Sequence, residues 1–175
     1  ADAVVSVPEM FNYWIGPGRI EVAFLGAAQV DRFGNLNSTV IGDYAHPKTR
    51  LPGAGGAPEI AACCREVVVI APHTPRTFVD RLDFRTTVGH GDGPGDRRRL
   101  GFRGLGPTAV VTDLGVLEPD PKTCELTLTE IHPGVDIEQV REATGWELAV
   151  DDAPRATPPP TAEELSALRE LLSRD

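Results

Sequence analysis

Three glycines in four residues, Gly53, Gly55 and Gly56, sit in the stretch LPGAGGAPEIAACC, just ahead of a run that reads as the first turns of a helix. Lacking Cβ atoms, such a loop can turn its backbone N–H groups outward, toward an anion or a carbonyl oxygen that is gaining negative charge. The positive end of the following helix would favour the same ligand. The competing reading is structural: a tight turn where the backbone approaches another element. The segment lacks the Lys and Ser/Thr of a P-loop, and its glycines do not fall in the G-x-G-x-x-G spacing.

Other residue types invite the same two-sided reading. GHGDGPGDRRR places His90 close to Asp92 and Asp96, a base flanked by carboxylates or simply a polar loop. His46 lies near Asp43 and Lys48 in DYAHPK, a set suited to a phosphate or carboxylate, or to anchoring a loop. Arg50, Lys48 and the run Arg97-Arg98-Arg99 are candidates for meeting carboxylates or anionic phosphates. Gln29 and Asn37 flank a turn and either shape a pocket or bond the turn. His73 and His132 stand beside prolines at element ends and read as structural. Cys63 and Cys64 lie several residues into the expected helix and read as packing residues, although a helix start can lower a thiol pKa. There is no G-x-S-x-G elbow, no H-E-x-x-H and no C-x-x-C, so neither a serine-hydrolase elbow nor a structural zinc site is expected, and no metal is assigned.

The elements that must position these groups alternate between strand and helix. Residues 19–30 (RIEVAFLGAAQV) read as a mostly buried strand entering a small-residue turn, and DRFGNLNSTVIGD as a hairpin with Gly34-Asn35 at its tip. A loop with Pro47 and Pro52 follows, then a short helix from PEIAACC. EVVVIA at 66–71 is the clearest strand, β-branched and fit for a buried sheet position. Residues 76–89 read as a helical turn and then a strand from Phe84. Residues 89–106 hold seven glycines and one proline, a loop long for an inactive connection. PTAVVTDLGVLE and CELTLTEI read as two strands. PGVDIEQVREATG reads as a helix with Asp136 as N-cap, Gln139 three residues on and Gly145 as C-terminal cap. A Pro-rich surface crossing spans 151–160. A capped amphipathic helix fills 161–173, beginning at Thr161 with Glu164, its apolar stripe at 165, 168, 171 and 172. The class is α/β, an open mixed sheet with flanking helices.

Bulk properties narrow the partners. The chain has 175 residues, with 17 basic against 26 acidic side chains and a net charge of −9. No basic stripe is available to neutralise phosphates, which argues against nucleic acid or an anionic membrane as partner. Three cysteines, two of them adjacent, argue against a disulfide framework. No apolar run approaches a membrane span and the start has no basic leader, so a cytoplasmic protein is expected.

Joined in one order, FLGAAQVDRFGNLNSTVIGDYAHPKTRLPGAGGAPEIAA, GPGDRRRLGFRGLGPTAVVTDLGVLEPDPKT and HPGVDIEQVREATGWEL strongly resemble the β subunit of glutaconate CoA-transferase and the family I CoA-transferases, over nearly the whole chain. The resemblance implies the NagB/RpiA/CoA-transferase type of fold, with residues 1–175 forming part of the β-subunit domain. It implies an α-subunit partner and an acyl-CoA and a carboxylate as substrates, with coenzyme A carried as thioester and no tightly bound cofactor. In that chemistry a glutamate attacks the acyl-CoA thioester to give an acyl–glutamyl anhydride. CoA then forms a glutamyl thioester, from which the acceptor acid takes it. By the same resemblance, Gly53, Gly55 and Gly56 form the oxyanion loop, with Ala54 and Ala57 near coenzyme A; Gln29, by its place at the turn, is a further candidate for contacting coenzyme A.

The family's nucleophilic glutamate stands in an E-S-G-like motif ahead of the part that resembles VPEMFNYW, and no such motif occurs here. Glu9 and Glu59 are not in that context. The expectation is therefore a chain lacking the N-terminal part of the family domain, which would accompany it as a separate or further piece. Such a chain should expose a sheet edge or an uncovered core face. Decarboxylation or C–C hydrolysis of a CoA thioester, with the nucleophile replaced, and a non-catalytic scaffold role are the alternatives to transfer. The conformational cost of the glycines argues against a scaffold.

Overall fold

A computed structural model describes residues 4–173. The chain runs α1 (Val7–Glu9, continuing as a π-helical turn over Met10–Ile15), β1 (Val22–Leu25), β2 (Gln29–Val30), β3 (Leu36–Asn37), β4 (Val40–Gly42), β5 (Pro47–Arg50), α2 (Ala57–Cys63), β6 (Glu66–Ile70), α3 (Asp96–Arg99), β7 (Pro107–Val111), β8 (Gly115–Pro119), β9 (Leu126–Ile131), α4 (Ile137–Glu142), β10 (Ala149–Ala156) and α5 (Ala162–Leu172). Six strands form one mixed sheet in the order β1-β6-β7-β8-β9-β10. β6 runs parallel to both β1 and β7, β8 is antiparallel to both its neighbours, and β10 runs parallel to β9. The β2–β3 and β4–β5 hairpins lie outside this sheet. The α/β class and the open mixed sheet are those expected.

One face of the sheet carries the core. Val67 and Val69 of β6, Val110 of β7, Leu117 of β8 and Leu126 and Leu128 of β9 all belong to a buried cluster closed by Val30, Phe78, Val140, Trp146 and Leu148. The alternation expected for 125–129 is the one found, with both leucines fully buried. Asp136 caps α4 and Thr161 caps α5, each in a complete capping box. Gly34 takes its place at the hairpin tip with a positive φ of 64°.

Several elements differ from the sequence expectation, each for a local reason. The apolar run AVVSV begins outside the described residues, and the part described leads into a helix: the Ser6 hydroxyl accepts from the Glu9 amide and caps α1. Pro47 and its neighbours form β5 instead of a loop. Residues 84–88 make only an isolated bridge through Thr87 to Leu36, with no strand from Phe84. PTAVVTDLGVLE is two strands, because the Thr112 hydroxyl accepts the amides of Leu114 and Gly115 and folds the chain back on itself. α4 stops at Ala143, and Gly145 serves close approach instead: its amide donates to the Phe78 carbonyl, and a Cβ there would sit 2.8 Å from that oxygen. Residues 149–156, expected in part as a crossing, add β10 to the sheet edge, leaving 157–161 to lead into α5. The leucine stripe of α5 buries no residue within this chain.

β1 is not a mostly buried strand. It closes the sheet at one edge, and Phe24 is 66% exposed, with Val22 exposed on the same strand. Phe24 lies opposite Val68, and Ile70, 55% exposed, lies opposite Val111, so the face away from the core is apolar across three strands. An open edge and an apolar face together favour association. The 175-residue chain alone should therefore self-associate and bind a hydrophobic dye. Gel filtration with dye fluorescence checks this, and Phe24→Lys should reduce both signals.

His73 joins the ends of β6 and β7 from inside. Its ring nitrogens bond the Thr112 and Thr144 hydroxyls at 3.2 and 2.9 Å, and the ring stacks on Phe78 at 3.9 Å. Burial lowers its pKa to about 4, against a smaller opposing pull from the Asp113 carboxylate. Below pH 6.5 the unfolded chain takes a proton that folded His73 refuses until about pH 4, so stability falls across that window as pH falls. The loss amounts to about 3 kcal/mol. Burial lowers the pKa of His90 too and adds to the same slope. Denaturant titrations from pH 7 to 4 on the assembled protein should show this slope, and His73→Gln should flatten it.

Candidate active site

The glycine loop lies between β5 and α2, and its residues divide into two kinds. Gly53 and Gly55 have φ of 101° and 50°, and an added Cβ would meet nothing within 4 Å. Their glycine requirement is conformational, in open space, and not one of tight approach. Gly56 is the opposite case: a Cβ there would lie 2.0 Å from the Phe11 ring. The tight approach to another element that the structural reading expects is thus found at Gly56.

Among the described residues, the amide N–H groups of Ala54, Gly55 and Gly56 have no hydrogen-bond partner, whereas those of Gly53 and Ala57 bond the carbonyls of Ser38 and Ala54. Ala54 and Gly55 are exposed. The loop therefore offers three consecutive bare donors, suited to an oxyanion or carboxylate. α2 has only seven residues, about two turns, so the donors themselves outweigh any helix dipole. A cavity of about 540 Å³ lies alongside, lined by Val7, Phe11, Gly55, Gly56, Pro58 and Glu59.

A buried polar lattice supports the loop from behind. Asn37 is fully buried. Its carbonyl accepts the amides of Thr39 and Val40, and its amide donates to Gln29 and to the Val40 carbonyl. Gln29 is 6% exposed. Its carbonyl accepts from Asn37 and the Asp83 amide, and its amide donates to the Asp83 carboxylate. Gln29, expected as a contact to coenzyme A, is thus buried with both ends of its amide bonded to Asn37 and Asp83. The residue after Asn37, Ser38, reaches the loop directly, its hydroxyl donating to the Gly53 carbonyl at 2.9 Å.

The remaining candidates settle into structural positions. The His90 ring is buried and bonds the Pro107 carbonyl at 2.8 Å. Asp96 accepts the Asp92 amide and pairs with Arg99, away from that ring. His46 is almost fully exposed, and Asp43 accepts the amides of Ala45 and His46 in a local turn. Arg50 lies over the Tyr44 ring at 4.6 Å and donates to the Tyr44 carbonyl. His132 is bonded between Thr157 and the Thr112 carbonyl, structural as expected. Cys64 is buried and its thiol is pushed up by burial, consistent with packing. No group of three or more His, Cys, Asp or Glu among the described residues could hold a metal ion. No helix among them is long and apolar enough to cross a membrane.

Arg97 departs most from the sequence reading. It does not face solvent with Arg98. Its guanidinium donates to the carbonyls of Ala61 in α2, of Gly89 and, twice, of Gly104. Burial lowers its pKa to about 10, so it remains charged at neutral pH, with carbonyl dipoles in place of an acid as its hydrogen-bond partners among the described residues. No spacing in the sequence singles out Arg97 from its two neighbours. Phe11 and Ser38 are likewise absent from the sequence reading: the aromatic residues of MFNYW are a usable signal, but nothing local links Ser38 to Gly53.

Comparison with known proteins identifies the family. The sequence pattern of the Coenzyme A transferase family matches residues 2–143. The β subunit of 3-oxoadipate CoA-transferase from Pseudomonas knackmussii is 55% identical over 174 residues, 99% of this chain and 67% of its own length. The β subunit of glutaconate CoA-transferase from Acidaminococcus fermentans is 47% identical over 133 residues, 75% of this chain and 50% of its own length. The crystal structure of that organism's glutaconate coenzyme A-transferase superposes with a TM-score of 0.76 at 42% identity, over 85% of this chain and 57% of that one. Rhodococcus jostii RHA1 IpdAB superposes with a TM-score of 0.81 at 30% identity, over 94% of this chain and 64% of that one. The chain therefore belongs to the coenzyme A transferase family, on its β-subunit side. It spans between half and two thirds of the length of these relatives.

Replacing Arg97 by Met should destabilise the assembled protein by about 3 kcal/mol, since the partly buried carbonyls of Ala61, Gly89 and Gly104 lose their donor. Arg97→Lys keeps the charge without the planar fork and should recover only part of the loss. Denaturant midpoints of both variants check this.

Proposed function

We propose that this chain is part of the β subunit of a heteromeric CoA-transferase that moves coenzyme A onto a dicarboxylic oxo acid such as 3-oxoadipate. The observation that carries the reading is the 55% identity to a 3-oxoadipate CoA-transferase β subunit along 99% of the chain. The bare amides of Ala54, Gly55 and Gly56 support it, as donors of the kind a tetrahedral oxyanion needs during acyl transfer. In this reading the nucleophile is a glutamate outside residues 1–175, in the further length that the relatives have. It attacks the thioester carbonyl and expels CoA as thiolate. The thiolate then attacks the glutamyl carbonyl of the anhydride and releases the donor acid. The acceptor carboxylate reverses these steps to leave as its CoA thioester.

An α subunit and the remainder of the β polypeptide complete the enzyme in this proposal. The apolar face carrying Phe24 and Ile70 is the surface through which the remainder would cover this part. Ala54 and Ala57 border the acyl-CoA in the same reading, with coenzyme A as substrate and no resident cofactor.

The test is covalent trapping. The assembled enzyme, incubated with an acyl-CoA donor and no acceptor, should retain about one CoA per active site in a bond that hydroxylamine cleaves. Adding 3-oxoadipate should discharge it as 3-oxoadipyl-CoA. Release of CO₂ or of a hydrolysed acid without retained CoA would instead assign a decarboxylase or hydrolase, and no turnover at all would assign a scaffold.

A further inference from the structure

The loop that presents the three bare amides is gripped at both ends by side chains from distant parts of the chain. At its first end, Ser38 and Gly53 form a reciprocal pair. The Gly53 amide donates to the Ser38 carbonyl and the Ser38 hydroxyl donates to the Gly53 carbonyl, both at 2.9 Å. Ser38 is itself fixed, because its amide donates to the Thr86 hydroxyl at 2.9 Å, which also bonds the Thr39 hydroxyl at 2.7 Å. At the last end, the Phe11 ring occupies the space that a side chain at position 56 would need. Phe11 is held on the π-helical turn after α1, where its carbonyl accepts the Gly16 amide at 2.9 Å.

Between the clamps, Gly53 and Gly55 have positive φ, and a Cβ on either would find no atom near enough to restrain it. Within the loop the Ala57 amide donates to the Ala54 carbonyl at 3.0 Å, but glycine backbone at 53 and 55 is otherwise the most mobile there is, so the aim of the amides at 54–56 depends on what holds the two ends. Oxyanion stabilisation needs donors already aimed when charge develops. We propose that Ser38 and Phe11 are positioning residues for the amides of Ala54, Gly55 and Gly56, an inference that rests on those amides being the oxyanion donors. Neither side chain need touch the substrate. Ser38 fixes where the loop leaves the Asn37 turn, and Phe11 fixes where it enters α2.

The experiment uses the assembled heteromeric enzyme and steady-state CoA transfer. Ser38→Ala and Phe11→Ala should each lower kcat about tenfold while KM for the acyl-CoA stays within about twofold. Ser38→Thr, which keeps a hydroxyl, and Phe11→Leu, which keeps the bulk, should recover most of kcat. Thermal melting on the same preparations separates positioning from loss of fold. Gly53→Ala and Gly55→Val disturb the amides directly and should lower kcat further. A kcat within about twofold of wild type for both alanine variants, alongside a large loss in the glycine variants, overturns the positioning roles and leaves the oxyanion reading standing. Unchanged kcat in the glycine variants overturns the oxyanion reading itself. A loss that the conservative variants do not recover, or that follows the fraction unfolded, also overturns the proposal.

Discussion

The guanidinium of Arg97 sits where the long loop after β6 meets α2, and it donates to carbonyls of three separate segments: Ala61, Gly89 and Gly104. A partly buried positive charge with no acid partner among the described residues is tolerated only when enough dipoles face it. Here the loop's glycines allow that, because Gly106, with φ of 84°, brings its Cα so close that a Cβ would lie 2.7 Å from the Arg97 side chain. The Phe102 ring completes the enclosure at 5.1 Å. Through Ala61, this contact sets the position of α2, and through α2 it sets the last residue of the glycine loop.

A second polar constraint acts on the same long loop from its other side. Asn35 is fully buried; its carbonyl accepts the amides of Gly89 and Gly91 and its amide donates to the Gly91 carbonyl and to Asp31. Burial pushes the Asp31 carboxyl up, and the bonds from Asn35 and Phe33 oppose that shift without reversing it. Each member of this cluster is bonded, which is the condition for a buried polar group to specify structure instead of weakening it. The seven-glycine loop is thus pinned at Asn35 and Arg97. The bare donors lie on the shorter glycine loop ahead of α2.

The other half of the molecule is defined by what it leaves open. The sheet buries valine and leucine on one face, yet Phe24 and Ile70 stand exposed on the other, and the stripe of α5 buries nothing within the chain. An apolar face of this breadth accords with a chain that spans only part of its relatives' length. The glycine loop and the open face are independent features of the same domain. The first is tied to Ser38 at Gly53 and packed against Phe11 at Gly56, and the second leaves Phe24 and Ile70 exposed.

Local signals determined a good deal. Capping boxes at Asp136 and Thr161, the alternation at 125–129, the β-branched run at 66–70 and the Gly34 turn are legible because their causes lie within a few residues of their effects. The glycine loop is legible as a bare backbone for the same reason, and ordered motifs along the chain carry the family. Tertiary structure alone decided which glycine needs space and which needs φ. It also decided that Arg97, and not Arg98, turns inward onto backbone carbonyls, and that Ser38 and Phe11 reach the loop from elsewhere along the sequence. Those outcomes depend on long-range approach, where the partner's position is fixed by the packing of the sheet and not by any pattern in the neighbouring residues.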